Sequence, residues 1–295
     1  MNSMTKHETL VNLGYTKDPF KAARFETGDM VRCRRILTMA VESRAMMSIV
    51  GERGIGKTEA ILTVLRKMPV RIVTAQRDAQ EKLTIDHVKN AIIQQLSDES
   101  VKRCPIASHA QLRRVLGENS RKQQVVVVIE EAQRLHASTL RSLKTLREIE
   151  FAGEKELCTI ILVAQSDPMN RAGVSEVRLR SDLVRMQGLS ATEAAHYVRE
   201  TIGKHFDDTA IDALAELPAG GNYLELQALC IELLNIALAD GRDQVTLSDV
   251  HTIQPPAATP VPRGQAKPKP AAQSASGATA LSSVLSRRAE GGAPC

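Results

Sequence analysis

The sequence predicts an α/β fold, in which a parallel sheet is flanked by helices and followed by a small all-α domain and a disordered tail. From about residue 29, short apolar runs alternate with segments of helical spacing, an order typical of doubly wound sheets. After Gly188 the pattern becomes purely helical, and from Pro255 onward Pro, Ala, Ser and Gly dominate. The predicted parts are an N-terminal extension at 1–28, an α/β domain at 29–188, a helical lid domain at 189–253 and a tail at 254–295.

Four apolar runs have the length and composition of buried parallel strands, and they occupy residues 46–50, 70–75, 125–129 and 159–163. Helical spacing is seen at about 29–44, 59–67, 84–96, 110–116 and 139–148. Thr27 or Asp29 could cap the first of these helices. In the lid, Ser190 and Glu193 have the spacing of a capping box, and Asp208 could cap the next helix. Further helices are predicted at 224–239 and after Thr246.

The composition indicates a core built from aliphatic side chains. Apolar residues make up 43% of the 295 residues, whereas aromatic residues make up 2%, with no Trp. So few aromatic residues argue against nucleic-acid bases stacking on an aromatic surface. No apolar stretch approaches the length of about 18 residues that indicates a membrane span. The polar N-terminus does not resemble a signal peptide, and the scattered cysteines form no C-x-x-C pair. We therefore expect a cytoplasmic protein without a zinc site.

The net charge is +5, but most of it lies in the tail. Residues 254–295 contain five cations and one anion, which leaves only about +1 for the first 253 residues. If the folded part binds nucleic acid, it must therefore use local basic patches, because it has almost no bulk charge.

The most specific motif is the eight-residue stretch G-E-R-G-I-G-K-T, which fits the phosphate-binding pattern G-x-x-x-x-G-K-[ST]. It lies between a predicted strand and a predicted helix, as the pattern requires. Backbone N–H groups of such a loop surround phosphate oxygens, Lys57 would reach the β- and γ-phosphates of ATP, and the Thr58 hydroxyl would bind Mg²⁺. The nucleotide-binding residues are Gly51, Glu52, Arg53, Gly54, Ile55, Gly56, Lys57 and Thr58.

A second group of polar residues follows two of the predicted strands. Glu130 and Glu131 come directly after the strand at 125–129, where one carboxylate can hold Mg²⁺ and the next can polarise water. We assign Glu130 to the metal and Glu131 to the water, although Asp is the usual residue at the first position. Gln165, with Ser166 as the alternative, follows the strand at 159–163 and could sense the γ-phosphate. The competing interpretation of Glu130 and Glu131 is that they are solvated acids that cap the next helix. The competing interpretation of Gln165 is that it is an ordinary turn residue.

Three arginines precede the helical lid. A guanidinium from a neighbouring subunit can neutralise γ-phosphate charge during hydrolysis. Arg178 and Arg180 are the preferred candidates, ahead of Arg185, because they lie before the apolar pair Leu183–Val184. Each of them could equally be a solvated surface residue.

The order of phosphate loop, acidic strand end, polar strand end, arginine cluster and helical lid resembles AAA+ ATPases over roughly residues 25 to 250. Residues 129–135, I-E-E-A-Q-R-L, resemble the D-E-A-Q-x-L segment of transposition ATPases, the Mu-like B proteins, TniB and TnsC, and the related ExeA-type ATPases. This resemblance implies a homo-oligomeric ring or filament that binds duplex DNA with ATP and Mg²⁺ and activates a transposase. The lid arginine of the family is missing from residues 220–224, which implies slow or partner-dependent hydrolysis.

If the resemblance holds, DNA phosphates should be contacted by basic residues facing a central channel, without reading of bases. An ordinary solvated surface is the competing interpretation for each candidate. The candidates are Arg77, Lys82, Lys102, Arg103, Arg113 and Arg114.

Three other functions stay open at this stage. One is an ExeA-like ATPase that assembles or remodels a protein complex. Another is a small-molecule kinase with a phosphate loop, which would need no C-terminal helical domain. The third is a nucleotide-gated DNA-binding module with little hydrolysis, which Glu130 and the missing lid arginine favour.

Overall fold

The computed structural model describes residues 4–21, 26–75, 83–170, 173–174 and 181–253. All of the described residues belong to one compact unit. The predicted disordered tail at 254–295 lies outside the described residues, and the predicted boundary between α/β domain and lid at residue 188 stays a prediction. Among the described residues, no helix is both long and apolar enough to cross a membrane.

The centre of the fold is a five-stranded sheet in the order β2-β3-β4-β1-β5, and every strand pair in it is parallel. The strands are β1 (Met46–Val50), β2 (Val70–Ala75), β3 (Gln124–Ile129), β4 (Cys158–Ala164) and β5 (Ser181–Arg185). The four predicted strands are confirmed. The sequence pattern did not predict β5, because this edge strand is largely exposed and its only apolar residues are Leu183 and Val184.

Helices cover both faces of the sheet, so the α/β prediction is confirmed. Helices α1 to α6 are Lys6–Asn12, Gly28–Glu42, Lys57–Leu65, Ile85–Leu96, Pro105–Lys122 and Ala137–Arg147. Val126 and Val128 of β3 belong to the core that contains α2 and α3 residues. Val125, Val127 and Ile129 belong to the core on the other face, with α4, α5 and α6. Burial on both faces explains why this strand consists almost entirely of β-branched residues.

Helix α5 is much longer than the predicted segment at 110–116. Its buried face includes the polar residues Gln111, Asn119 and Ser120, which interrupt the apolar spacing. Gln111 and Asn119 are tolerated there because their amides donate to backbone carbonyls, Gln111 to Ser100 at 3.0 Å and Asn119 to Leu96 at 3.2 Å. A pattern based only on hydrophobicity therefore underestimates this helix.

Four helices form the C-terminal part, as predicted. They are α7 (Ala191–Ile202), α8 (Asp208–Ala215), α9 (Tyr223–Ala239) and α10 (Leu247–Ile253). The capping box of Ser190 and Glu193 is present at the start of α7. The predicted cap at Asp208 is wrong, because Asp208 is the first residue of α8 and its carboxylate pairs with Arg199 at 3.2 Å. The Arg242 guanidinium beside Asp249 holds the pKa of that carboxyl well below its usual range and fastens α10.

The N-terminal extension contains an element that the sequence pattern did not predict. Helix α1 and the turn after it pack against the lid, where Leu10, Leu13 and Phe20 join the lid core. The Thr9 hydroxyl donates to the Asn235 side chain at 2.6 Å. Because α1 has only seven residues, it is too short to show a helical periodicity of apolar residues in the sequence. The apolar residues that it packs against lie far away in the sequence.

Candidate nucleotide site

A cavity of about 1270 Å³ lies where β1, β3 and β4 end. Its wall includes most of the phosphate loop, both glutamates after β3 and Gln165 after β4. The carboxyl ends of neighbouring parallel strands meet at one edge, where ligands bind in open α/β sheets. The predicted site residues that line the cavity are Arg53, Gly54, Ile55, Gly56, Lys57, Thr58, Glu130, Glu131 and Gln165.

The phosphate loop has the conformation that its glycines allow. Gly54 and Gly56 have φ values of +94° and +80°, in the left-handed region that favours glycine. A Cβ at Gly51 would lie 2.3 Å from Ile55 Cδ1 and 3.0 Å from the Met186 carbonyl oxygen. The loop is therefore a bare backbone cradle joined to α3, which fits a bound phosphate group.

The two side chains at the end of the loop suit a nucleotide with its metal. Lys57 Nζ donates to the carbonyl oxygens of Gly51 and Glu52 at 2.8 and 2.6 Å, and burial lowers the pKa of Lys57. Thr58 and Glu130 both line the cavity, and their side chains carry oxygen atoms, the ligand type that Mg²⁺ prefers. Among the described residues, no cluster of three or more His, Cys, Asp or Glu could hold a metal.

The two glutamates after β3 have different surroundings. The Glu130 N–H donates to the Ala75 carbonyl at 3.4 Å, so the β2–β3 ladder extends to this residue. Glu131 is exposed and has a left-handed backbone, with φ of +50°. Its carboxylate lies 2.9 Å from the Arg134 guanidinium. The backbone of Glu131 is thus strained, and the charge of its carboxylate is balanced by the Arg134 guanidinium.

Gln133 connects two parts of the site and was not among the predicted site residues. Its side-chain oxygen accepts a hydrogen bond from the Gln165 N–H at 3.1 Å, which fastens the turn after β3 to the end of β4. The Gln165 side chain is exposed and lines the cavity, whereas Ser166 is exposed outside it. The sequence carries no local signal for this contact, because Gln133 and Gln165 lie 32 residues apart.

One part of the cavity wall is formed by aromatic side chains. Phe20, Tyr197 and Tyr223 line it, and they are three of the seven Phe and Tyr residues in the chain. The rings of Tyr197 and Tyr223 meet edge to face at 5.2 Å. The Tyr197 hydroxyl donates to the Phe20 carbonyl at 3.2 Å and accepts from Gln227 at 2.8 Å. Burial raises the pKa of Tyr223 to about 12, so its hydroxyl stays protonated and uncharged at neutral pH.

The predicted basic residues are only partly described. Arg77, Lys82, Arg178 and Arg180 lie outside the described residues, and Arg185 is exposed at the end of β5. Lys102 and Arg103 are exposed before α5, and Arg113 and Arg114 are exposed on it. Arg113 donates to the Glu150 carbonyl. Arg114 pairs with Glu99 and Glu118, and its charge is therefore already balanced.

Comparisons with known proteins agree with this architecture. Residues 40–170 match the sequence model of an AAA domain. The Aeropyrum pernix ORC2 protein, solved as ADPNP–ADP complexes, has a TM-score of 0.58 at 15% identity over 78% of this chain and 67% of its own. Cdc6p from Pyrobaculum aerophilum has a TM-score of 0.58 at 12% identity, covering 80% of this chain and 68% of that chain. Drosophila ORC bound to DNA has a TM-score of 0.56 at 16% identity, covering 85% and 66%.

The chain thus spans about two thirds of the length of these solved proteins. No curated protein sequence matches it significantly. Together, the domain match and the structural likeness show that the chain has the AAA+ P-loop fold with a helical C-terminal part.

Proposed function

We propose that this protein is an ATP-dependent, DNA-binding AAA+ ATPase that assembles on duplex DNA, selects target sites and activates a transposase. The observation that carries the proposal is the meeting of the phosphate loop, Glu130, Glu131 and Gln165 at one cavity. A phosphate cradle with two carboxylates and a polar amide beside it is the arrangement that phosphoryl transfer to water needs. We place the protein in the cytoplasm of a bacterium that carries a phage or transposon.

Each residue has a distinct part in the proposed hydrolysis. The loop N–H groups and Lys57 bind the phosphates, and Thr58 and Glu130 hold Mg²⁺, which neutralises phosphate charge when bound. Glu131 takes a proton from the attacking water as the bond between the β,γ-bridging oxygen and the γ-phosphorus breaks, so that ADP and inorganic phosphate are the products. Gln165 orients the γ-phosphate or this water. An arginine of a neighbouring subunit, Arg178 or Arg180, completes the site.

The DNA part of the proposal rests on likeness and on charge. One protein of the same fold was solved bound to DNA, and the segment at 129–135 resembles that of transposition ATPases. Lys102, Arg103 and Arg113 are exposed cations in and beside the start of α5 that could contact DNA phosphates. Arg77 and Lys82 stay candidates, whereas Arg114 is the weakest because two carboxylates already pair with it.

A nucleotide-gated module with little hydrolysis is the second candidate, and one observation favours it. Leu224 stands in the lid segment where the related ATPases carry an arginine, and it lines the cavity with 55% of its surface exposed. An apolar side chain there cannot stabilise γ-phosphate charge. An ATPase that acts on a protein complex would share the same site but would not respond to DNA.

The rate of ATP hydrolysis with and without duplex DNA tests these alternatives. We expect slow hydrolysis that DNA accelerates, and the Glu131→Gln variant should bind ATP but lose most of its turnover, at least about a hundredfold. Glu216→Gln, an exposed lid residue, is the matched control and should keep the wild-type rate. Unchanged turnover in Glu131→Gln would reject the role of Glu131, and a rate indifferent to DNA would favour the protein-remodelling alternative.

A further inference from the structure

Asn222 joins the start of helix α9 to the phosphate loop. Its side chain is 5% exposed. The amide nitrogen donates to the Arg53 carbonyl oxygen at 2.7 Å, and the amide oxygen accepts from the N–H groups of Leu224 and Glu225 at 3.0 and 3.5 Å. One side chain therefore caps a lid helix and holds the phosphate loop at the same time.

The fit between the loop and α9 leaves no free space. A Cβ at Gly54 would lie 2.3 Å from the Asn222 amide oxygen and 3.1 Å from Leu224 Cβ. A Cβ at Gly56 would lie 3.3 Å from Tyr223 Cε2. Because the loop packs this closely against side chains at the start of α9, a shift of the loop should displace those side chains and the first turn that carries them.

The linker between β5 and α7 is held at the same place. Gly188 has φ of +88°, and a Cβ there would lie 2.2 Å from the Gly221 carbonyl oxygen. The Leu189 N–H donates to that oxygen at 2.9 Å. On its other side, the Asp29 carboxylate accepts the N–H groups of Gln187 and Gly188 at 2.7 and 2.9 Å. The orientation of the lid therefore depends on two sets of contacts. One joins the linker to Gly221 and Asp29, and the other joins Asn222 to the phosphate loop.

We propose that Asn222 is a positioning residue that couples nucleotide binding in the phosphate loop to the orientation of the lid. The proposal rests on the proposed function, because it needs the loop to bind ATP. The Arg53 carbonyl and the Gly54 N–H belong to one planar trans peptide, in which the two groups point in opposite directions. By holding the carbonyl, Asn222 turns the Gly54 N–H away from the lid and fixes it for a phosphate oxygen. Leu224 has no charge with which to bind a phosphate. The lid therefore senses the bound nucleotide through the backbone of the phosphate loop, which Asn222 contacts.

The coupling works in both directions. A phosphate that binds the Gly54 N–H fixes the same peptide that Asn222 holds, so each contact strengthens the other. Nucleotide binding should therefore reduce the motion of the linker at 186–189 and of the first turn of α9. This reduction should depend on the amide nitrogen of Asn222, which makes the contact with Arg53.

Two variants separate the coupling from the capping. Asn222→Asp keeps oxygen acceptors for the cap but loses the N–H donor to Arg53. Asn222→Ser keeps a short capping hydroxyl that cannot reach the loop. Thr246→Ala is the control in the lid, because it removes a hydroxyl that donates to Asp249 at 2.9 Å without touching the phosphate loop. All three variants are first checked for folding by thermal unfolding, and Asn222→Ser replaces Asn222→Asp if that variant does not fold.

The test combines isothermal titration with ATP and Mg²⁺, in the absence of DNA, with amide hydrogen exchange of the same proteins. We expect the Asn222 variants to bind ATP about tenfold more weakly and to lose the ATP-induced protection of residues 186–189, while Thr246→Ala keeps both. Equal ATP affinity in wild type and both Asn222 variants would overturn the inference and leave the proposed function intact. An equal loss in Thr246→Ala would overturn it too. Failure of the wild type to bind ATP would overturn both proposals.

Discussion

Two neighbouring parts of the cavity wall, the phosphate end and the aromatic end, are built in different ways. The phosphate end comes from one eight-residue loop and the ends of neighbouring strands, and it presents mainly backbone N–H groups and a few charged side chains. The aromatic end comes from three distant parts of the chain, with Phe20 from the N-terminal extension, Tyr197 from α7 and Tyr223 from α9. The loop of the first part has its shape mainly from its own glycines, although Asn222 of the lid also holds its Arg53 carbonyl. The second part is assembled entirely from the lid and the extension.

In the proposed function, this difference separates two contributions to nucleotide binding. The phosphate end recognises charge and would distinguish ATP from ADP through the γ-phosphate. The three rings of the aromatic end are uncharged and would bind an apolar ring face, such as a purine base, with equal strength in both nucleotides. Changes at the aromatic end should therefore weaken ATP and ADP alike, whereas changes near the γ-phosphate should not.

The largest effect on stability is expected at Gly188, in the linker between β5 and α7. Gly188→Ala places a Cβ 2.2 Å from a backbone oxygen in addition to its left-handed φ, so we expect a loss of about 3 kcal/mol in the free energy of unfolding. Gly14 has a similar φ of +81° but nothing within 4 Å of its Cβ position. Gly14→Ala should therefore cost only about 1 kcal/mol. Denaturant unfolding measures both, and equal losses would show that Gly188 is not packed against Gly221 as described.

A smaller effect is expected from the aromatic end. Phe20→Ala removes a buried ring that lines the cavity. We expect the affinities for ATP and for ADP to fall by the same factor, about tenfold. Phe20→Leu keeps most of the apolar burial and should lose less. Titration with the two nucleotides is the measurement. A loss confined to ATP would contradict the division of the cavity into two ends.

The smallest effect concerns the pair of Glu131 and Arg134 at the phosphate end. Both side chains are about half exposed, and such surface pairs contribute only about 0–1 kcal/mol. Arg134→Ala should leave the unfolding midpoint almost unchanged and alter the hydrolysis rate by less than about fivefold. Lys89→Ala, which breaks an exposed pair with Asp86, is the matched control. A complete loss of hydrolysis would show that Arg134 has a direct catalytic part.

The same contrast explains how much the sequence could predict. The phosphate loop, the strand β3 and the capping box at Ser190 were predictable, because each depends on residues that are close together in the chain. Helix α1 and strand β5 were not, because their stability comes from the lid core and from pairing with β1. Gln133 and Asn222 were missed as site residues for a related reason. A polar side chain gives no sign in the sequence of which distant backbone group it will bind.

The most direct test of the central claim is sedimentation of the 295-residue protein with duplex DNA, with and without ATP and Mg²⁺. Lys57→Ala is measured in parallel, with Lys155→Ala, an exposed lysine outside the site, as control. We predict that wild type and Lys155→Ala sediment with DNA only when ATP is present, and that Lys57→Ala does not. Sedimentation of the wild type without ATP, its absence with ATP, or ATP-dependent sedimentation of Lys57→Ala would contradict the account.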